Sequence, residues 1–115
     1  MTIQYKNQGF SQSGTGATNV LTCPTDATLI IKSIYCSNND ASSAIEVIAQ
    51  LTDSSASTDY EFFRDEIAAK SQVNATPQGL NLEASDTIKI IATTGSNKIQ
   101  GVISYAQIDR SQENG

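Results

Sequence analysis

The apolar residues of this chain recur two apart rather than three or four apart, and turn-forming clusters interrupt them about every ten residues. Residues 43–52 show the pattern in full. Ile45, Val47, Ala49 and Leu51 fall in one phase, Glu46 and Gln50 in the other, with Ile48 as the exception on the polar side. Side chains on a strand alternate between faces, so this spacing makes one buried face and one wet face. A helix needs an apolar stripe at helical spacing, and only residues 64–72 come near one, through Ile67 and Ala68. No unbroken apolar stretch exceeds three residues, whereas a membrane span needs about 20.

Read this way, strands are expected over 18–23, 28–37, 43–52, 60–67, 71–75, a short stretch around Leu80 and Leu82, 87–93 and 98–108. The segment 28–37 carries Leu29, Ile30, Ile31, Ile34 and Tyr35, apolar on both faces, as in a strand covered on both sides. Pro24-Thr25-Asp26, Ser37-Asn38-Asn39-Asp40 and Thr94-Gly95-Ser96-Asn97 are turn clusters, and the last is the clearest hairpin signal. Seven or eight short strands without a helix predict an all-β, antiparallel, jelly-roll-like β-sandwich. The expected organisation is a flexible arm at 1–14, a sandwich at 15–109 and a polar tail at 110–115. Disordered tails usually avoid aromatics, so Tyr5 and Phe10 mark the arm as one that could order against a neighbouring subunit.

The residues offer little chemistry. The 115-residue chain has no His, so the usual base near neutral pH and the commonest zinc ligand are missing. A serine nucleophile would need Lys as its base. Lys32-Ser33 and Lys70-Ser71 are adjacent in sequence and point to opposite faces on a strand. Asp65-Glu66 and the pair Glu83 and Asp86 fall in or beside turns, where acidic groups are solvated. Asp53-Ser54-Ser55 with Asp59 lacks the spacing of a calcium loop. No enzyme, cofactor or metal role is therefore expected. A net charge of −5, with the basic residues spread singly, argues against a nucleic-acid or anionic-membrane partner. The start Met1-Thr2-Ile3-Gln4-Tyr5-Lys6 lacks the basic and apolar regions of a secretory signal, so the cytoplasm is the expected place of assembly.

Cys23 and Cys36 flank the turn at Pro24. If 20–23 and 28–37 paired as a hairpin around it, Cys36 would lie roughly 26 Å beyond Cys23 at ~3.3 Å per residue, too far for a disulfide. Ser, Thr, Asn and Gln make up 43 residues, a surface that is hydrophilic without strong charge. Such surfaces suit molecules that pack beside their own copies.

From Thr22 onward the chain resembles small β-sandwich virion proteins of tailed bacteriophages. The resemblance is carried by Thr22-Cys23-Pro24, by Thr28-Leu29-Ile30-Ile31-Lys32-Ser33-Ile34, and by Cys36-Ser37-Asn38. It continues in Gly79-Leu80-Asn81-Leu82-Glu83-Ala84-Ser85-Asp86-Thr87-Ile88-Lys89-Ile90 and Val102-Ile103-Ser104-Tyr105. Ser85 departs from the pattern, since such proteins often carry Gly before the Asp; if that Gly serves a positive φ, Ser85 must either be strained or use a different turn. The resemblance implies a virion structural role, foremost as a capsid decoration (cement) protein. It also implies symmetric oligomers with a trimer favoured, and the major capsid protein or other virion proteins as partners. A tail, baseplate or fibre module is the alternative. Tyr5, Phe10 and Phe63 are the expected interaction residues. A carbohydrate-binding module would need Tyr60, Phe62 and Phe63 as an exposed platform; the expectation is instead that Tyr60 and Phe62 fill the core and Phe63 lies at an edge.

Overall fold

The computed structural model of the chain describes residues 2–12, 14–76, 78–94 and 97–109. Nine strands run through them: β1 (Thr2–Ser11), β2 (Ala17–Thr22), β3 (Ala27–Asn38), β4 (Ile45–Asp53), β5 (Thr58–Ile67), β6 (Gln72–Asn74), β7 (Leu80–Leu82), β8 (Thr87–Ala92) and β9 (Ile99–Asp109). Sheet A has the order β1-β9-β3-β6, with β7 also on β3, and sheet B the order β2-β8-β4-β5. Every pairing is antiparallel. With β6 and β7 as two halves of one interrupted edge strand, this is an eight-position jelly-roll sandwich.

The fold class is the one expected; the connections are not. Turn clusters at 24–26 and 94–97 suggested hairpins. Yet β2 pairs with β8 while β3 pairs with β9, and β8 and β9 lie in different sheets. Both turns carry the chain from one sheet to the other, and among consecutive strands only β4 and β5 pair. A turn residue sets where the backbone reverses and leaves open which sheet receives the next strand.

Within the segment 1–14, expected as a flexible arm, Thr2–Ser11 is strand. Thr2–Ser11 pairs with β9 at ten successive positions without a register shift. β1 escaped the sequence reading because it buries almost nothing: Thr2 and Phe10 are half-buried and the other eight residues exposed. Its order rests on backbone pairing, which leaves no apolar period to read. The tail expected at 110–115 lies outside the described residues.

The core sits between the sheets. Leu29, Ile31, Ile34 and Cys36 of β3 meet Val47, Ala49, Ile88 and Ile90 of sheet B, all buried. A register shift between Ile31 and Ser33 explains why β3 reads as apolar on both faces. The bulge inverts the phase, so that odd positions point inward before Lys32 and even positions after it. Asn38 closes the strand end, its buried amide donating to the carbonyls of Ser43 and Ile67 at 2.9 Å each. Cys36 is a buried free thiol, pushed up to about 12 by burial. Cys23 is buried near the start of β3, its Sγ donating to Ala27 O at 3.3 Å. Nine residues of β3 separate Ala27 from Cys36, roughly 30 Å at ~3.3 Å per residue, so the thiols are far apart although the hairpin that suggested this is absent.

Ser85 does hold a positive φ, 69°. Its N–H donates to Cys23 O at 3.0 Å, while Asp86 Oδ2 accepts from Glu83 N at 3.0 Å, so the turn is fixed from both sides. A left-handed conformation costs an L-residue roughly 1–2 kcal/mol, partly offset by the entropy glycine loses on folding. Ser85→Gly is expected to stabilise the fold by about 0.5–1 kcal/mol, read as a higher urea midpoint at unchanged slope.

Candidate interaction surface

The two outer faces of the sandwich differ in kind. On sheet B, Arg64 forks onto Glu61 at 2.7 and 2.9 Å and reaches Glu46 at 3.4 Å. Lys89 pairs with Asp59 at 3.3 Å, and Asp59 also accepts from Thr52 Oγ1 at 2.6 Å. Ile48, the apolar exception of β4, is buried on this face between Arg64 and Ile91 in the register. This is a solvated, ion-paired surface.

Sheet A presents the opposite. Its outer face follows from the register: Tyr5, Ala106 and Ile30 form one row across β1, β9 and β3, and Gly9, Val102 and Tyr35 form another. Ile3, Tyr5, Ile30, Tyr35 and Val102 all lie here, each 40% exposed or more, with Tyr5 at 78%. A polar row lies between, where Ser104 Oγ meets Asn7 Oδ1 at 2.8 Å. Lys32, whose Nζ stands 5.4 Å from the centre of the Tyr5 ring, is the one charged residue in the β1, β9 and β3 rows of this face. Among the described residues no Asp or Glu lies in the β1, β9 and β3 rows of this face; Glu83 stands at its β7 edge, beside Thr28 and Asn81. An acidic protein thus keeps the central rows of one sheet face, among the described residues, without carboxylates and lines them with aromatic and aliphatic side chains. Two exposed apolar rows on either side of a short polar one make this the candidate contact face.

The three interaction residues expected from the sequence part company here. Tyr5 lies on the outer face of sheet A. Phe10 is half-buried on the inner side of β1, opposite Gly101 and packed against the core. Phe63 sits on β5 opposite Ala49, also against the core. A register shift between Ala49 and Gln50 lets the consecutive Phe62 and Phe63 both reach inward. Tyr60, expected in the core, is 53% exposed instead. The three aromatics therefore form no platform. The exposure of Ile30, Tyr35 and Val102 was not read from the sequence because they sit in strands dense with core residues; for Ile30 and Tyr35 the signal was the second apolar face of 28–37.

The carboxylates weighed for chemistry are occupied by structure. Asp53 Oδ1 accepts from Ser55 Oγ at 2.7 Å, and Asp86 Oδ1 accepts from Ser54 N at 3.0 Å. Among the described residues no three His, Cys, Asp or Glu side chains group as a metal site. Hydrogen bonds hold several carboxyls below their usual range: Ser42 and Ser43 N–H at Asp40, Ser55 Oγ at Asp53, Thr52 Oγ1 and then Lys89 at Asp59, Arg64 at Glu61. A depressed folded pKa gives stability that is complete above the unfolded value and lost as pH falls through the folded one. The melting temperature is therefore expected to hold near neutrality and to drop below about pH 4. A midpoint that stayed level or rose on acidification would contradict these contacts.

No family model matches the chain, and no curated protein matches it. Solved structures do share its fold. A chain of the acid-stable capsid of Helicobacter pylori bacteriophage KHP30 is similar at 14% identity and a TM-score of 0.57, over 93% of this chain and 87% of that one. The Drosophila NLP core, described for pentamer formation and histone binding, is similar at 12% identity and a TM-score of 0.53, over 95% and 100%. A subunit of the disulfide-linked pili that form Bacillus endospore appendages is similar at 11% identity and a TM-score of 0.51, over 92% and 86%. What this chain shares with all three is the jelly-roll fold.

Proposed function

We propose that the chain is a non-enzymatic structural protein of a phage virion, a capsid decoration protein that seats sheet A on the major capsid protein and stands among its own copies, assembled in the host cytoplasm. The observation that carries this reading is the outer face of sheet A, with two exposed apolar rows and, among the described residues, no carboxylate in its β1, β9 and β3 rows, on a molecule of net charge −5. Copies of an acidic protein repel one another wherever their carboxylates meet, and these rows bring none. The fold it shares with a phage capsid chain supports the same direction, as does the resemblance of its turn and strand segments to small phage virion proteins. A trimer is the oligomer this resemblance favours. The partner is a protein surface, since the face carries one cation where a nucleic-acid site clusters several.

Quantifying the chain in purified virions tests the assignment. Hundreds of copies per particle are expected of a decoration protein. A few to a few dozen would place it in the tail, baseplate or fibre, and none would remove the virion role.

A further inference from the structure

β1 is held to its sheet by the backbone far more than by side chains. It pairs only with β9, unshifted over its whole length, and no side chain on it is fully buried. One anchor reaches the core, the ring of Phe10, which lies where a Cβ on Gly101 would be. Few buried apolar contacts and a solvent-exposed ladder make such a strand the first to open.

The connection from β1 to β2 carries two glycines among its described residues. Gly14 holds a φ of +75° and Gly16 stands two residues on, before β2 enters the other sheet. At this corner Gln12 is fully buried: its Nε2 donates to Gly16 O, and its Oε1 has no hydrogen-bond partner among the described residues. A buried carbonyl oxygen without a donor costs about 1–3 kcal/mol, a penalty set by the closed form of the connection. Short connections under such stress favour exchange between copies.

We infer that β1 is an exchangeable strand: in assemblies of this chain, residues 2–11 leave their own β9 and complete sheet A of a neighbouring copy. The acceptor fits β1 through side chains as well as backbone. Gly101 leaves room for the ring of Phe10, Ser104 meets Asn7, and Lys32 lies against Tyr5. Every one of these contacts is recovered when the strand comes from a second copy, while the connection at Gln12 is released. The inference goes beyond the virion reading and does not need it, because the exchange is between copies of the chain itself.

Two single variants, Asn7→Cys and Ser104→Cys, test it. The positions face each other across β1 and β9, at the surface, so neither change threatens the fold. The full-length variants are mixed, unfolded and refolded together at high concentration, and bridged with a short bis-alkylating reagent. A covalent dimer joining one chain of each kind is expected, well above the dimers that either variant forms alone. A mixture that gives no such excess, while the double variant bridges only within its own chain, would overturn the exchange.

Discussion

Gly101→Ala is expected to destabilise the protein by about 3 kcal/mol, the upper end of the usual cost of overpacking. A Cβ at this position would stand 2.5 Å from Phe10 Cζ and 2.8 Å from Cε1, and closer still to the carbonyl oxygen of Tyr35. The ring could yield by swinging out, which would remove the one side-chain anchor of β1. The Tyr35 carbonyl cannot yield without moving β3, the central partner of β9, β6 and β7. The double variant Phe10→Ala, Gly101→Ala should therefore recover little of the loss. Urea unfolding followed by circular dichroism measures both. A single variant within about 0.5 kcal/mol of the parent, the range of ordinary surface substitutions, would mean that β9 and β3 are not packed as described.

Val102→Glu is expected to act in the opposite way, leaving the fold intact and removing association. Val102 is 44% exposed beside Tyr35, so a carboxylate there stays in water in the isolated chain. At the centre of a contact it would be buried without a partner, a loss of about 3–5 kcal/mol, or a hundredfold or more in affinity. Glu66→Gln, on the outer face of sheet B, changes the net charge by one unit and is expected to leave association unchanged. Occupancy on bare capsids, measured beside the melting temperature of each variant, separates the two effects. The two variants shift the net charge in opposite directions, so a gain for Glu66→Gln that mirrors the loss for Val102→Glu would point to net charge, and no loss for Val102→Glu would remove sheet A from the contact.

Much of the fold was legible because strands advertise a buried face. β4, β8 and β9 were found from alternation alone, and of the two turns left open at Ser85 by the resemblance, strained or different, the positive φ is the one present. What could not be read has physical reasons. β1 is ordered by pairing with a strand nearly 100 residues away in the sequence, and pairing of that kind leaves no mark in the hydrophobic pattern. The turns at Pro24 and Asn97 look the same whether the next strand joins the same sheet or the opposite one. Bulges at Lys32 and in β5 shift the phase, which hid the inward course of Ile34 and the joint burial of Phe62 and Phe63. The contact face was legible in part. The second apolar face of 28–37 was visible in the sequence; that it belongs to one surface with Tyr5 and Val102 depends on the order of the strands.

The central claim concerns which face of the sandwich touches its partner, and imaging the protein on intact virions at side-chain resolution tests it most directly. The account predicts the outer face of sheet A against the shell or a neighbouring copy, with Tyr35 and Val102 covered and the Arg64 ion pairs of sheet B in solvent. A particle in which sheet B is covered and Tyr35 and Val102 stand in water would contradict it.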